Sequence, residues 1–300
     1  MDSTLKVSRL LGLHYILLIL GVLTRAGVDG HSWVDELTCA SGPFFTNTPV
    51  KGYIRNFVGR ESTQIDTETT FRILDLSSNQ PVCPPGRTSP GQNEPSFPKL
   101  MATPGDLIKA SYLENGHIWQ TLAGVNGPQA NPGTIYWYGT QTPKADRDIA
   151  SVLKWTRDGK GGDGEGVLLE VTPFDDRVCI ETGHENAGEG RVGGPCHSYF
   201  RLPKNAEVGK DFTVYWLWDY TEHFGPPKPG YIEWYSSCMD ITVVDKQTAR
   251  DKAKSGKERR DAQLLPADSA PVKGLNRHLR RRQLYNERQT GDKKGSLVSW

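Results

Sequence analysis

The sequence predicts an all-β fold, an immunoglobulin-like or fibronectin-like antiparallel β-sandwich with long loops, and three observations carry that expectation. The apolar segments are strand-length and rich in β-branched or aromatic residues. Gly, Pro, Asn or Asp bound each of them, and the chain holds 32 Gly and 20 Pro in 300 residues. No long amphipathic helical pattern competes with them. The segments are Gly52–Val58, Leu107–Leu113, Thr134–Gly139, Val167–Val171, Phe212–Trp218 and Tyr231–Val244. Strands of this kind bury one face against a second sheet. One short helix is expected over Asp146–Arg157, with Ile149, Val152, Leu153 and Trp155 as its apolar positions. Ser77–Lys99 reads as a long loop held down by crosslinks, and there is no internal repeat.

The two ends differ from the middle. Lys6 and Arg9 precede fourteen apolar residues, Leu10–Leu23, a stretch shorter than the roughly 20 residues of a membrane-spanning helix. It matches the apolar region of a secretory signal, so residues 1–30 are expected to be a signal peptide and the protein to be secreted. Gly30 then sits before the cleavage point and His31 becomes the N-terminus; a single-pass anchor is the alternative that the length disfavours. Residues 31–245 carry eighteen basic and twenty-seven acidic residues, a net of −9. Residues 246–300 carry fifteen basic and six acidic, a net of +9, with few large apolar residues to bury. This predicts one β domain over 31–245 and a basic, disordered tail over 246–300. The tail could meet acidic wall polymers; nucleic acid is not an expected partner. No apolar C-terminal run predicts a lipid anchor, and no Asn-x-Ser/Thr acceptor occurs.

Five cysteines, Cys39, Cys83, Cys179, Cys196 and Cys238, leave at least one unpaired in an oxidising compartment. Cys179 and Cys196 bracket a Gly-rich loop and form the easiest local pair. Cys83 with Cys238 would tie the early loop to the last strand, leaving Cys39 spare. Four cysteines alone already permit three connectivities, so this pairing is one choice among them.

An N-terminal histidine offers two nitrogens from one residue. The α-amine loses its proton at roughly pH 7.7–8.0, so a metal displaces it near neutrality. Amine and Nδ1 close a chelate ring, and a second histidine completes three nitrogens in one plane, a set that favours copper(II). The remaining histidines of the mature chain are His117, after a strand-like segment and Gly116, His184 and His197 in or beside the Gly-rich loop, His223 in a Pro/Gly turn and His278 in the tail. Spacing alone singles out none of them. Other polar features have plainer readings. Asp175 and Asp176 point opposite ways on an extended segment and fit turn and strand-end hydrogen bonds better than a hydrolytic carboxylate pair. Gly159–Gly166 lacks the Lys-Ser/Thr ending of a phosphate loop. Trp33, Trp137, Trp216, Trp218 and Trp234 are expected mostly in the core.

The start His31-Ser32-Trp33, the later Asn115-Gly116-His117 and the strand Glu233-Trp-Tyr-Ser-Ser-Cys238 resemble fungal lytic polysaccharide monooxygenases. In cellulose-active members a Gln-x-Tyr-x-x-Cys segment places a tyrosine axial to copper. The resemblance gives that place to Tyr235 and the disulfide cysteine to Cys238, with Cys83 as its partner; Glu233 stands where the family has glutamine. A closer resemblance spans nearly all of residues 31–245. It is to uncharacterised secreted fungal proteins with a monooxygenase-like start, through ENGHI (114–118), GTIYWYGT (133–140), GGDGEGVLL (161–169), FDDRVC (174–179), YWLWDY (215–220) and YSSCMDI (235–241).

The resemblance implies a monomer holding one copper ion, an external electron donor and a cell-wall or plant polysaccharide as partner. His31 would give its amine and Nδ1 and His117 its Nε2, Tyr235 would lie axially, and Glu233 would assist oxygen or deliver a proton. Three classes are thus in play: an oxidative polysaccharide-cleaving enzyme, favoured; a copper-binding protein without turnover; and a cell-wall or carbohydrate-binding structural protein.

Overall fold

Alternation of side chains along extended segments sets up two faces per sheet, and the computed structural model, which describes residues 31–47, 49–77, 79–115, 132–183, 190–221 and 231–263, follows it closely. The elements are β1 (Val34–Cys39), α1 (Ile65–Thr69), β2 (Arg72–Ile73), β3 (Leu100–Ala102), β4 (Leu107–Tyr112), β5 (Thr134–Thr140) and α2 (Ile149–Val152). They continue with β6 (Val167–Pro173), β7 (Cys179–Ile180), β8 (Val192–Gly193), β9 (Cys196–Arg201), β10 (Asp211–Asp219), β11 (Trp234–Val243) and α3 (Lys246–Gln263). A three-stranded sheet runs β1-β4-β9, and a larger sheet runs β2-β11-β10-β5-β6 with β3 also on β11. The pairings are antiparallel except for the short β3/β11 and β7/β8 contacts. The sandwich is all-β, as the strand patterning predicts.

The core lies between the sheets. Val214, Trp216 and Trp218 of β10, Ile135 and Trp137 of β5, and Tyr235, Met239 and Ile241 of β11 meet Leu37, Ile108, Tyr112 and Phe200 of the smaller sheet. Trp137 stacks obliquely on Phe200, centroids 4.5 Å apart, and its Nε1 donates to Ser198 Oγ at 3.2 Å. The intervening residues of the same strands, Tyr215, Leu217, Trp234, Tyr138 and Cys238, face outward and form a second cluster with Val82, Cys83, Ile149, Val152 and Trp155. Both faces of the larger sheet are therefore covered. Trp33, Trp137, Trp216, Trp218 and Trp234 are all buried.

The covering loop is pinned by covalent and ionic links. Cys83 is joined to Cys238, Cα atoms 5.7 Å apart, and Cys179 to Cys196; Cys39 is a buried free thiol. Buried Arg55 grips Asp240 through Nε and a terminal nitrogen (2.9 and 2.7 Å) and donates to the carbonyls of Arg87 and Thr88. Burial alone pushes the Asp240 carboxyl up, and the Arg55 bonds reverse this to hold it below its usual range.

Three expectations differ in detail. Gly52–Val58 makes only isolated bridges, Leu37 with Gly52 and Ile54 with Met239, because Asn56 turns the chain at φ 48°. The helix expected over Asp146–Arg157 contracts to α2, capped by Asp148 accepting from Ser151 N at 2.8 Å; beyond it Trp155 N bonds back only three residues, to Val152 O. The segment from Lys246, expected to be disordered, begins as α3. Asp245 caps it by accepting from the Gln247 and Thr248 amides (2.8 and 2.9 Å), and Ala249 is buried in the core. The chain divides into units 1–253 and 254–300, and α3 begins in the first. The tail after residue 263 lies outside the described residues, as does the segment read as a signal. No described helix is long and apolar enough to cross a membrane.

Candidate metal centre

The start of β1 determines where His31 emerges. β1 pairs with β4, Val34 opposite Tyr112, and Ser32 Oγ donates to Leu113 O at 2.7 Å. This ties the chain one residue after His31 to the strand that leads into Asn115-Gly116-His117. On the other side Val34 N donates to Ser237 Oγ of β11 at 3.2 Å. Tyr235 lies two residues from Ser237, hence on the same inward face. His117 itself lies outside the described residues, as do His184, His223 and His278.

His31 is held on two sides. Its ring stacks on Trp33, centroids 5.6 Å apart and planes 16° from parallel. Trp33 is fully buried and fixed by its Nε1 donating to Asp35 Oδ1 at 2.9 Å. The Arg60 guanidinium sits 4.6 Å above the Trp33 ring and forks onto both oxygens of Asp35 at 2.7 and 2.6 Å. Burial pushes the Asp35 carboxyl above its usual range, against the pull of Arg60 and Trp33. At the ring's far edge, His31 Nε2 lies 3.1 Å from Asp66 Oδ1, on α1.

Tyr235 and Glu233 are brought together. The Tyr235 hydroxyl, in a fully buried residue, donates to Glu233 Oε1 at 2.6 Å, while the Tyr231 hydroxyl bonds Oε2. A terminal nitrogen of Arg72 stands 3.9 Å from Oε1. The Tyr235 ring leans on Trp218, centroids 5.2 Å apart. Burial first, then the Glu233 bond, push the Tyr235 hydroxyl well above the ordinary tyrosine range, so it stays a proton donor.

Glu114, three residues before His117 in sequence, is fully buried, and its Oε2 accepts from Glu181 N at 2.8 Å. Burial is the main cause that pushes its carboxyl up to about 7. Asp175 forks onto Arg191 (2.6 and 2.9 Å), and Asp176 accepts from the amides of Val178, Cys179 and His197, so both are structural acids. Among the described residues, the His/Cys/Asp/Glu groupings close enough for a metal are Glu114 with Cys179 and Cys196, and Asp175 with Asp176 and Cys179. The Cys179–Cys196 disulfide removes the thiolates from both.

Sequence reading alone missed Asp66, Arg72 and Tyr231. Asp66 sits in a polar run, Gln64-Ile-Asp-Thr-Glu-Thr, with no motif to mark it. Tyr231 lies two residues before Glu233, and that spacing on an extended segment was the available signal.

One family model matches residues 28–270, that of a domain of unknown function (DUF7492). The chain belongs to this family. The match runs past residue 245, so α3 falls within the DUF7492 domain. No curated protein matches the chain. Among solved structures, a cellulose-active polysaccharide monooxygenase from M. thermophila is similar at 16% identity, over 72% of this chain and 78% of that one, with a TM-score of 0.37. The structure titled CvAA9A is similar at 15% identity, over 81% and 96%, with a TM-score of 0.38. The cellulose-active CelS2 (ScLPMO10C), in complex with copper, is similar at 17% identity, over 60% and 78%, with a TM-score of 0.30. At these scores the strand pairing, rather than the likeness, establishes the DUF7492 sandwich.

Proposed function

We propose that this DUF7492 protein is secreted, loses residues 1–30, and binds one copper ion through His31 and His117 to cleave polysaccharide oxidatively. The observation that carries the reading is the pose of His31. Its ring is stacked on a buried, braced tryptophan, and its neighbour Ser32 is bonded to Leu113, four residues before His117. The donor set fits copper: two imidazoles and one terminal amine are the nitrogen ligands that copper(II) prefers.

In this reading His31 supplies its α-amine and Nδ1, and His117 supplies one ring nitrogen. Trp33 holds the His31 ring plane, and the Asp35–Arg60 fork holds Trp33. Tyr235 closes the inward side and directs its hydroxyl proton to Glu233 rather than outward. Glu233 accepts hydrogen bonds from both tyrosine hydroxyls and is the carboxylate placed to relay a proton. Copper, when bound, would supply one-electron redox chemistry with an external donor and oxygen or peroxide. The motif resemblance at 31–33, 115–117 and 233–238 supports the same assignment.

The test is a copper(II) titration of secreted protein whose N-terminus has been verified by mass spectrometry, read by calorimetry and electron paramagnetic resonance, with His117→Ala in parallel. One tight equivalent with nitrogen hyperfine structure, weakened in the variant, is the expected result. A mature N-terminus other than His31, or weak binding insensitive to His117→Ala, would overturn the proposal.

A further inference from the structure

The contact at the outer edge of the His31 ring carries an inference that rests on the copper reading and extends it to a residue outside the brace. Neutral imidazole has one protonated and one bare nitrogen, and only the bare one binds a metal. A carboxylate oxygen 3.1 Å from Nε2 favours the proton there, which leaves Nδ1 bare on the side of the residue's own main-chain nitrogen. That is the tautomer a chelate through Nδ1 and the amine requires. We propose that Asp66 is the positioning residue of His31, fixing its Nε2–H tautomer and the ring's rotation so that Nδ1 is presented beside the main-chain nitrogen.

Asp66 is placed to do this reproducibly. It sits on α1, which is fastened to the body of the protein by the buried Ile65 and Thr69. Among the described residues, its carboxylate has His31 as its polar partner. The Trp33 stack fixes the plane of the ring, and the Asp66 contact selects one of the two flips about Cβ–Cγ that share this plane. An exposed polar contact of this kind adds little to fold stability. The Asp66 side chain is 67% exposed, so its loss should be read in the site and not in folding.

The experiment uses correctly processed wild type, Asp66→Ala and Asp66→Asn, the last keeping the shape and one acceptor oxygen. Imidazole nitrogen shifts of the metal-free proteins are measured by long-range 15N–1H NMR at about pH 8.5, roughly two units above the ordinary histidine value. Copper(II) dissociation constants are then measured calorimetrically. The expected result is a His31 ring held as the Nε2–H form in wild type and mixed between tautomers in Asp66→Ala. Copper(II) affinity should fall by about 10–100-fold in Asp66→Ala, the usual effect of removing a carboxylate behind a ligating histidine, and less in Asp66→Asn. Unchanged tautomer populations overturn the proposal, as does tight copper binding that is equal in wild type and Asp66→Ala. A wild type that binds no copper(II), with a tautomer still sensitive to Asp66→Ala, overturns the brace and supports the positioning role.

Discussion

Replacing Glu114 with glutamine should flatten the dependence of stability on pH between about 4.5 and 7. The carboxyl is fully buried, one oxygen accepts from Glu181 N, and the other is buried without a partner among the described residues. Burial therefore holds its proton up to about 7 in the folded chain, against an ordinary value of 4.5. Below 4.5 both states carry the proton. Between 4.5 and 7 the unfolded chain has released it and the folded chain has not, so stability falls as pH rises. The full effect is on the order of 3 kcal/mol, complete above pH 7. For a domain of this size it corresponds to a melting temperature roughly 6–12 °C lower at pH 8 than this group alone would allow at pH 4.5. Glutamine keeps the acceptor for Glu181 N and removes the titration, though its amide hydrogens at the other position cost about 1–3 kcal/mol at every pH. The assay is thermal or urea unfolding of both proteins at half-unit steps of pH. Asp35, raised in the same direction by burial, titrates in both and cancels in the difference. Parallel profiles for wild type and Glu114→Gln across this window would refute the reasoning.

Two further perturbations separate the links that hold the site's scaffold. Removing Cys83–Cys238 by a double serine substitution opens a link across 155 residues and should cost about 5 kcal/mol, against about 3 kcal/mol for Cys179–Cys196 across 17; urea unfolding that reverses this order would contradict the assignment of the longer link as the main clamp. Tyr235→Phe fills the same space and deletes the hydrogen bond to Glu233, which should destabilise by about 1.5–3 kcal/mol, seen as a lower melting temperature; an unchanged value would mean that this bond contributes nothing net.

The strands were legible because their period is two and both faces of the larger sheet are apolar. Thr134–Thr140, Asp211–Asp219 and Trp234–Val243 were found within three residues of their bounds. Many of the recurrent segments prove to be architecture. In GTIYWYGT, Gly133 adopts φ 80° with the Asp219 carbonyl where a Cβ would stand, and Gly139 leaves space for the Phe212 ring. In GGDGEGVLL, Asp163 accepts from Arg147 and from Trp155 Nε1, and Glu165 also binds Arg147. The loop grip was not legible, because Arg55 and Asp240 are 185 residues apart and a lone charge in sequence gives no sign of its partner. Nor was Asp66, whose meaning comes wholly from the fold bringing α1 against the start of β1.

The glutamate at 233 follows the same logic of partners. A carboxylate accepts at both oxygens, so Tyr235 and Tyr231 can each donate to one of them while Arg72 stands nearby. A glutamine here would offer a single carbonyl oxygen and two amide hydrogens. One tyrosine would then have to turn its hydroxyl and accept instead, or go unpaired at a cost of about 1–3 kcal/mol. A glutamine at 233 and the Tyr231–Glu233–Tyr235 arrangement would thus differ in where protons reside. With glutamine, the residue donates and its tyrosine is free to accept or donate. With Glu233, both hydroxyl protons point inward to the carboxylate, and burial keeps the Tyr235 hydroxyl protonated. The two hydroxyl protons are thus directed to one carboxylate, and the second of these bonds depends on the presence of Tyr231.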